Sequence, residues 1–189
     1  MADAGRVIAG SARSIRLDAP GPGTRPLGDR VKQTLFAILQ PDIAGSRFLD
    51  LFAGSGAAGI EALSRGAASA TFVERDPGAI RVIETNLART GLADRARVVR
   101  GDVLAWRPGH DATYDIAFLD PPYGESEHLA RALLAVQPRL APAALVVAKY
   151  FWRDAPPDRV GLLASERERR FGETALTFYR AVAQSTEDR

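Results

Sequence analysis

The chain has 189 residues, of which 46% are hydrophobic and 25% are charged, a composition typical of one soluble α/β domain. It contains no cysteine, which excludes disulfides, thiolate metal sites and covalent catalysis by a cysteine thiolate. The net charge is only +2, so the whole-chain balance does not mark a nucleic-acid-binding protein. The two histidines have no partner at ligand spacing, so no metal is expected. No apolar run approaches the ~20 residues that span a bilayer, and no signal peptide is evident, so we expect a cytoplasmic protein.

The first forty residues are predicted to form an extension that packs on the main domain. Residues 6–17 alternate weakly between apolar and polar and could form a β-hairpin. A Pro/Gly stretch at 19–26 follows, and helical spacing of apolar residues then predicts a helix from Gly28 to Gln40. Residues 1–32 carry six basic side chains against three acidic ones, a modest excess that is also typical of an ordinary solvated surface.

From residue 41 to 189 the sequence alternates between short apolar strands and amphipathic helices. Helices are predicted to end at Gly66 and Gly91, with Asp76 and Pro77 as the cap and first residue of the second, and Ser126 is predicted to cap another that runs to residue 137. The alternation predicts a mostly parallel sheet with helices on both faces. The last two strands are joined by a tight turn and must be antiparallel. The predicted strands are 48–52, 70–74, 96–102, 114–120, 144–150 and a pair within 166–183.

A strand, a glycine-rich turn and a helix follow one another between Leu49 and Gly59. Gly54 and Gly56 would let a ligand approach the backbone, and Gly59 would let the helix pack closely on the sheet. The spacing fits G-x-G-x-x-G, a pattern that is weak evidence by itself because a purely structural turn can also show it. The cofactor-binding residues predicted in this turn are Asp50, Phe52, Ala53, Gly54 and Gly56.

Acidic residues at the ends of the next two strands fit an adenosine-containing ligand. Glu74 ends the second strand, where a carboxylate can accept hydrogen bonds from both ribose hydroxyls. Asp102 ends the third and could accept from the adenine amino group, although a turn cap would also explain it. Arg75 and Val103, the next residues, are included in the predicted cofactor site. These features indicate either NAD or S-adenosylmethionine.

The sequence Asp120-Pro121-Pro122-Tyr123 decides between these two ligands. It follows an apolar strand, and the carboxyl ends of strands in a doubly wound sheet face the ligand, so Asp120 should lie near the cofactor. An aromatic amine resists methylation because its lone pair is delocalised into the ring. Two hydrogen-bond acceptors, Asp120 and the carbonyl of Pro121, would draw the nitrogen towards tetrahedral geometry. Pro122 would stiffen the turn and Tyr123 would stack on an unstacked base. A simple β-turn is the structural alternative.

These residues resemble a known family. Asp120 to Tyr123 resemble motif IV of the amino methyltransferases that act on DNA or RNA, and the whole chain resembles the bacterial 16S ribosomal RNA guanine-N2 methyltransferases. The likeness rests on residues 6–10, 25–36, 49–66, 120–123 and 171–176, which span nearly the entire chain. The Arg-Pro block at 25–36 is more specific to the family than the glycine turn or the Asp-Pro-Pro-Tyr motif.

The resemblance implies a class I methyltransferase (Rossmann-like) fold with an extra N-terminal hairpin and helix. It implies S-adenosylmethionine as cofactor and a guanine on an assembling small ribosomal subunit as substrate, with a monomer as the default state. The first forty residues would then contact RNA, and residues 41–189 would form the methyltransferase domain. The predicted RNA-binding residues are Arg6, Arg13, Arg25 and Arg30.

The chain departs from the family pattern at three positions. Leu27 replaces the usual Thr, Gln33 replaces the usual Glu, and Lys149 stands where the fifth strand usually ends in an acidic residue. The segment 149–153 is aromatic and basic, which favours either RNA contact or burial of its aromatic rings in the core.

Other functions remain open alternatives at this stage. A DNA adenine-N6 or cytosine-N4 methyltransferase would use the same chemistry but normally needs a sizeable recognition region. A nicotinamide-dependent oxidoreductase would leave the Asp-Pro-Pro-Tyr motif unexplained. A protein-glutamine methyltransferase would more typically carry Asn at position 120, and a non-catalytic RNA-binding assembly factor would not need the glycine turn and Glu74.

Overall fold

The computed structural model of the protein describes residues 2–21, 27–106, 113–122 and 126–182. The chain divides into two compact units, Met1–Trp106 and Arg107–Arg189. The boundary at residue 40 between an RNA-contacting extension and a catalytic domain stays a prediction.

The first unit begins with a two-stranded antiparallel hairpin of β1 (Ala2–Arg6) and β2 (Arg16–Ala19). The predicted hairpin is therefore present, but of the predicted residues 6–17 only Arg6, Arg16 and Leu17 belong to its strands. The nine residues between them form a loop whose apolar side chains Val7 and Ala12 are buried.

The loop between β1 and β2 is held by side chains of a later helix. The buried carboxylate of Glu61 accepts hydrogen bonds from the backbone N–H of Ile8 at 2.7 Å and of Ala9 at 3.0 Å. Ser64 Oγ accepts from the N–H of Ala12 at 3.0 Å. Because these partners lie more than fifty positions away in the sequence, local alternation could not reveal why the loop residues do not pair as strands.

Helix α1 (Asp29–Ile43) is longer than predicted. The predicted helix ended at Gln40, whereas the observed helix includes Pro41, which removes a helical hydrogen bond. The helix instead continues to Ile43, which is fully buried, so burial of this side chain in the core compensates for the missing bond.

Three parallel strands form the sheet of the first unit, in the order β5, β4, β3. They are β3 (Arg47–Leu51), β4 (Ser69–Glu74) and β5 (Ala96–Arg100). Strands β3 and β4 are almost entirely buried, as expected when helices cover both faces of a parallel sheet. Strand β5 ends two residues earlier than predicted, because the backbone carbonyl of Asp102 accepts hydrogen bonds from Ala105 and Trp106 in a turn.

Two helices join these strands, α2 (Ala57–Ser64) and α3 (Pro77–Thr90), and a short 3₁₀ turn (Ala93–Arg95) precedes β5. The predicted ends of α3 are confirmed. The Asp76 side chain accepts from the N–H of Gly78 at 2.6 Å, Pro77 is the first helical residue, and Gly91 is left-handed at φ 69°.

Within the described residues, the second unit has five strands, which lie side by side in the order β6, β7, β10, β9, β8. Strands β6 (Tyr114–Leu119) and β7 (Leu140–Phe151) are parallel, and the other neighbouring pairs are antiparallel. The predicted final pair is confirmed, with Gly172 in the turn at φ 59°. The remaining strands are β8 (Arg159–Val160), β9 (Leu163–Phe171) and β10 (Thr174–Ala181).

Helix α4 (Ser126–Val136) and a 3₁₀ turn (Gln137–Arg139) connect β6 to β7. Strand β7 starts four residues before its predicted position, and its early part includes Ala143 at φ 60°, an irregularity that pattern reasoning missed. The longest helix in the described ranges is α1 with 15 residues, and none of the helices there is long and apolar enough to cross a membrane.

Candidate active site

The glycine-rich turn after β3 has an unusual backbone. Gly54 and Gly56 are left-handed at φ 55° and 75°, and so is the non-glycine residue Phe52 at φ 59°. Because L-residues rarely adopt this conformation, the turn at Phe52 is strained, a feature that often occurs at binding sites. Helix α2 starts directly after Gly56, so its first N–H groups lie at the end of the turn.

Gly59 has the packing role that the sequence predicted. A Cβ atom at this position would lie 2.3 Å from the Phe72 ring of β4, which is far too close for any side chain. Asp50 is 2% exposed, and its Oδ2 accepts a hydrogen bond from the N–H of Gly59 at 2.8 Å. Asp50 therefore fixes the first turn of α2, and whether it also touches a cofactor stays a prediction.

Backbone amides hold the carboxylate of Glu74. Its Oε2 accepts from the N–H of Gly54 at 2.9 Å, and its Oε1 accepts from the N–H groups of Arg75 and Asp76 at 2.8 and 2.9 Å. The side chain is half-buried, so the oxygen lone pairs that these three donors leave can accept further hydrogen bonds. Such a fixed carboxylate is suited to binding the two hydroxyls of a ribose.

The other predicted cofactor residues differ in exposure. Asp102 is exposed, and its Oδ1 accepts from the N–H of Leu104 at 2.9 Å. The turn cap considered as the alternative is thus present, although Oδ2 could still bind an amino group. Val103 is buried at 6% exposure, Ala53 is buried at 8%, and Arg75 is exposed.

Asn86 is a structural residue of this region that sequence reasoning missed. It is fully buried on α3, where its Nδ2 donates to the carbonyl of Ser55 in the glycine turn at 3.0 Å and to the carbonyl of Asp18 at 2.9 Å. Its Oδ1 accepts from the N–H of Asp18 at 2.9 Å. Asn86 thus links the N-terminal hairpin to the glycine turn. The sequence could have indicated this role, because Asn86 is an amide side chain among the apolar residues of the amphipathic helix α3.

In the second unit, Asp120 follows β6 and pairs with Lys149 near the end of β7. The Lys149 Nζ lies 2.6 Å from Asp120 Oδ1, and the two side chains are only 6% and 21% exposed. Burial raises the pKa of Asp120, and the neighbouring Lys149 ammonium opposes that rise. Pro121 is buried and Pro122 is exposed, while Tyr123 lies outside the described residues.

From the sequence alone, Lys149 was identified only as a departure from the family pattern. Its contact with Asp120 follows from topology, because parallel neighbouring strands end at the same edge of a sheet. Asp120 is predicted to accept a hydrogen bond from a target amine, so Lys149 is a further residue of this site.

The predicted RNA-binding arginines are surface residues where the structure describes them. Arg13 and Arg30 are exposed, and Arg25 lies outside the described residues. The Arg6 side chain is 60% exposed and is 3.9 Å from Asp29, too far for a hydrogen bond. The exposure of these arginines is compatible with RNA contact and with an ordinary charged surface.

Comparisons with known proteins agree with this fold and with methyl transfer as the class of reaction. The model of a family described as "Conserved hypothetical protein 95" matches residues 5–180. The "Putative rRNA methyltransferase YlbH" of Bacillus subtilis is 39% identical over 93% of this chain and 98% of its own length. The "Ribosomal RNA small subunit methyltransferase D" of Escherichia coli is 38% identical over 97% of this chain and 93% of its own length.

A solved structure described as "Putative methyltransferase yhhF from Escherichia coli" superposes with a TM-score of 0.84 at 35% identity. It covers 95% of this chain and 98% of the solved chain. The class I methyltransferase fold that the sequence predicted, with its antiparallel C-terminal hairpin and its N-terminal hairpin and helix, is thereby confirmed.

Proposed function

We infer that this chain, which belongs to the family of ribosomal RNA small subunit methyltransferase D, transfers a methyl group from S-adenosylmethionine to the exocyclic N2 of a guanine in 16S ribosomal RNA. Two relatives that match nearly the whole chain are named as rRNA methyltransferases, which supports methylation of ribosomal RNA. The choice of guanine N2 rests on the resemblance of the motifs in this sequence to the guanine-N2 enzymes.

The first unit has the features that S-adenosylmethionine requires. The left-handed glycines of the turn allow a close approach to the backbone. The carboxylate of Glu74 is held by three backbone N–H groups and would bind the ribose hydroxyls. Asp102 would receive the adenine amino group. The bound cofactor supplies a methyl group that its sulfonium already activates.

The observation that carries the proposal is the partly buried carboxylate of Asp120 at the end of β6. Among the described residues, Lys149 is its hydrogen-bond partner, and that bond uses Oδ1. Oδ2 can therefore accept one N–H of an aromatic amine, and the carbonyl of Pro121 can accept the other. Two such acceptors hold the nitrogen lone pair out of conjugation with the ring, so that it can act as a nucleophile.

The reaction is a direct displacement without a covalent enzyme intermediate. The lone pair of the amine would form the new N–C bond as the C–S bond of bound S-adenosylmethionine breaks, with S-adenosylhomocysteine as the leaving group. The methylated nitrogen then loses its extra proton to water. Since the sulfonium needs no further activation, the protein's main contribution is to position the two reactants.

Labelled methyl transfer tests this function. The purified protein is offered S-adenosylmethionine with a labelled methyl group together with undermethylated 30S subunits, naked ribosomal RNA or genomic DNA. Each sample is digested to nucleosides and analysed by mass spectrometry. We expect N2-methylguanosine from the ribosomal samples. Methyladenine or methylcytosine from DNA would overturn the substrate, and absence of both transfer and cofactor binding would favour a non-catalytic assembly factor.

A further inference from the structure

A tryptophan flanked by two arginines lies directly after β7 in the second unit. The guanidinium carbon of Arg170 is 3.6 Å from the centroid of the Trp152 ring, and that of Arg153 is 5.0 Å away. Both arginines are exposed and Trp152 is partly exposed. We call Trp152, Arg153 and Arg170 the Trp152 cluster.

The Trp152 cluster lies beyond the same end of β7 that carries Lys149. Trp152 is three residues beyond Lys149, which contacts Asp120 directly, and three residues of extended chain span about 10 Å. The N–H of Trp152 donates to the carbonyl of Glu173 at 3.0 Å, so the segment stays beside the turn between β9 and β10. The cluster therefore lies just beyond the end of β7 at which Lys149 pairs with Asp120.

The residue types of the cluster match the chemistry of single-stranded RNA. Arginine binds phosphate through two parallel hydrogen bonds, and both arginine and tryptophan offer flat faces on which bases stack. The sequence left open whether the aromatic residues near 150 are buried in the core or contact RNA. Tyr150 is in the core, whereas Trp152 reaches the surface.

We propose that the Trp152 cluster binds the RNA nucleotides that flank the target base. This proposal rests on the proposed function, because it assumes an RNA substrate. Arg153 and Arg170 would contact phosphates, and Trp152 would stack on a flanking base.

The test compares Arg153→Ala/Arg170→Ala with Arg131→Ala, in which an exposed arginine of α4 outside the cluster is removed. Methylation of ribosomal RNA is measured at several salt concentrations. We expect the double variant to raise the KM for RNA about tenfold or more, with kcat and the KM for S-adenosylmethionine unchanged. The slope of log affinity against log salt should fall by about 0.7 for each lost phosphate contact.

Equal KM values and salt slopes in the double variant and in Arg131→Ala would overturn the proposal. Loss of thermal stability in the double variant with an unchanged RNA KM would show instead that the arginines only cover the Trp152 ring. If the wild-type protein methylates DNA and no RNA, the proposed function is wrong. The comparison of variants tests only the Trp152 cluster, so the two failures can be told apart.

A second, independent observation concerns Lys149 itself. The chain has two lysines against 23 arginines, and both lysines are buried. Positive charge on the surface is thus carried by arginine, and the amine at 149 has a specific partner 2.6 Å away. Since Lys149 binds Oδ1 of Asp120, it fixes the rotation of the carboxylate and directs Oδ2 to a separate acceptor position.

We infer that Lys149 is a positioning residue that holds Asp120 ionised and oriented for the target amine. Burial alone would favour the protonated carboxyl, which offers a donor where the reaction needs an acceptor. The inference again rests on the proposed function of Asp120.

Lys149→Met and Lys149→Arg test this role through the pH dependence of kcat. The acidic limb of the Met variant's profile should move to higher pH, and its activity should fall about tenfold for each unit by which the Asp120 pKa exceeds the assay pH. Lys149→Arg keeps a cation beside Asp120, so it should retain most of the wild-type activity, and the acidic limb of its pH profile should match that of the wild type.

Calorimetry with S-adenosylmethionine and a thermal melt check that each variant is folded. A folded Met variant with wild-type kcat and an unshifted profile would overturn the role of Lys149. If the Met variant does not fold, the Arg variant decides, because a folded Arg variant whose acidic limb differs from the wild type's by more than one pH unit would equally overturn it. Wild-type protein without RNA methylation would instead overturn the proposed function.

Discussion

Glu74 in the first unit and Asp120 in the second both stand at the carboxyl end of a parallel strand, but different groups stabilise them. Three backbone N–H groups surround the Glu74 carboxylate, whereas a lysine ammonium binds that of Asp120. Both carboxylates are partly buried, but the ammonium that binds Asp120 belongs to a side chain that is only 6% exposed.

The difference matches the two tasks proposed for these carboxylates. A carboxylate that binds hydroxyl groups needs fixed oxygens and some solvent access, and backbone amides provide a rigid frame without any extra charge. A buried carboxylate that must accept from an amine during a reaction needs a nearby cation to stay ionised.

Asp120→Ala should have the largest effect, because it removes the acceptor proposed to prepare the amine. We expect kcat to fall about 100-fold to 1000-fold, the range observed when one preorganised catalytic hydrogen-bond partner is removed. Affinity for S-adenosylmethionine, measured by calorimetry, should stay within about twofold of the wild-type value, because the Glu74 site is intact.

The alanine variant leaves the Lys149 ammonium buried without its partner, which can destabilise the fold. Asp120→Asn keeps the shape and one oxygen acceptor for Lys149 but replaces Oδ2 with an N–H₂ donor. It serves as the matched control for folding and should lose about as much activity as Asp120→Ala. Full activity in a folded Asp120→Ala variant would show that the carboxylate is not part of the reaction.

Glu74→Ala tests the role proposed for the other carboxylate and should weaken cofactor binding. Hydrogen bonds to a charged group contribute about 1.5–3 kcal/mol, so the Kd for S-adenosylmethionine should rise about tenfold to a hundredfold. Turnover at saturating cofactor should change much less than in Asp120→Ala. Glu84→Ala on the exposed side of α3 is the control, and an equal Kd in both variants would exclude the ribose role of Glu74.

Gly59→Ala tests the close packing of α2 against β4, which positions the backbone of the glycine turn in the first unit. The added Cβ would lie 2.3 Å from the Phe72 ring, so α2 or the ring must shift. We expect a loss of about 1–3 kcal/mol in the free energy of unfolding, measured by denaturant titration. At Gly101 a Cβ would meet nothing within 4 Å, so Gly101→Ala should be nearly neutral. Similar losses in both variants would mean that close packing at Gly59 is unimportant.

Arg89→Ala should have the smallest effect, because the cation that it removes is 38% exposed, whereas the Lys149 side chain that pairs with Asp120 is 6% exposed. Arg89 lies 2.7 Å from Asp18 and lowers the pKa of that carboxyl. A lowered pKa in the folded state means that the pair stabilises the fold at neutral pH and that this contribution is lost as the pH falls through the lowered pKa.

We expect the melting temperature of Arg89→Ala to be lower by less than about 3 °C at neutral pH, with the difference vanishing in acid. Arg81→Ala on the same helix is the control. A difference that persists unchanged at low pH would show that the pair with Asp18 is not its cause.

The sequence by itself determined the fold class and most of the strands and helices, because apolar periodicity and the residues that cap helices act locally. Asp76, Pro77 and Gly91 mark the ends of α3 in the sequence as they do in the structure. The glycine turn and the Asp120 motif were likewise visible, since each chemistry requires particular residue types at short spacing.

Only the tertiary structure decided what surrounds these residues. The loop after β1 is held by Glu61 and Ser64, Asn86 joins the hairpin to the glycine turn, and Lys149 pairs with Asp120. Each of these contacts joins positions between 29 and 53 residues apart. Local patterns carry no information about such contacts, because the packing of strands and helices, rather than their spacing in the chain, brings the partners together.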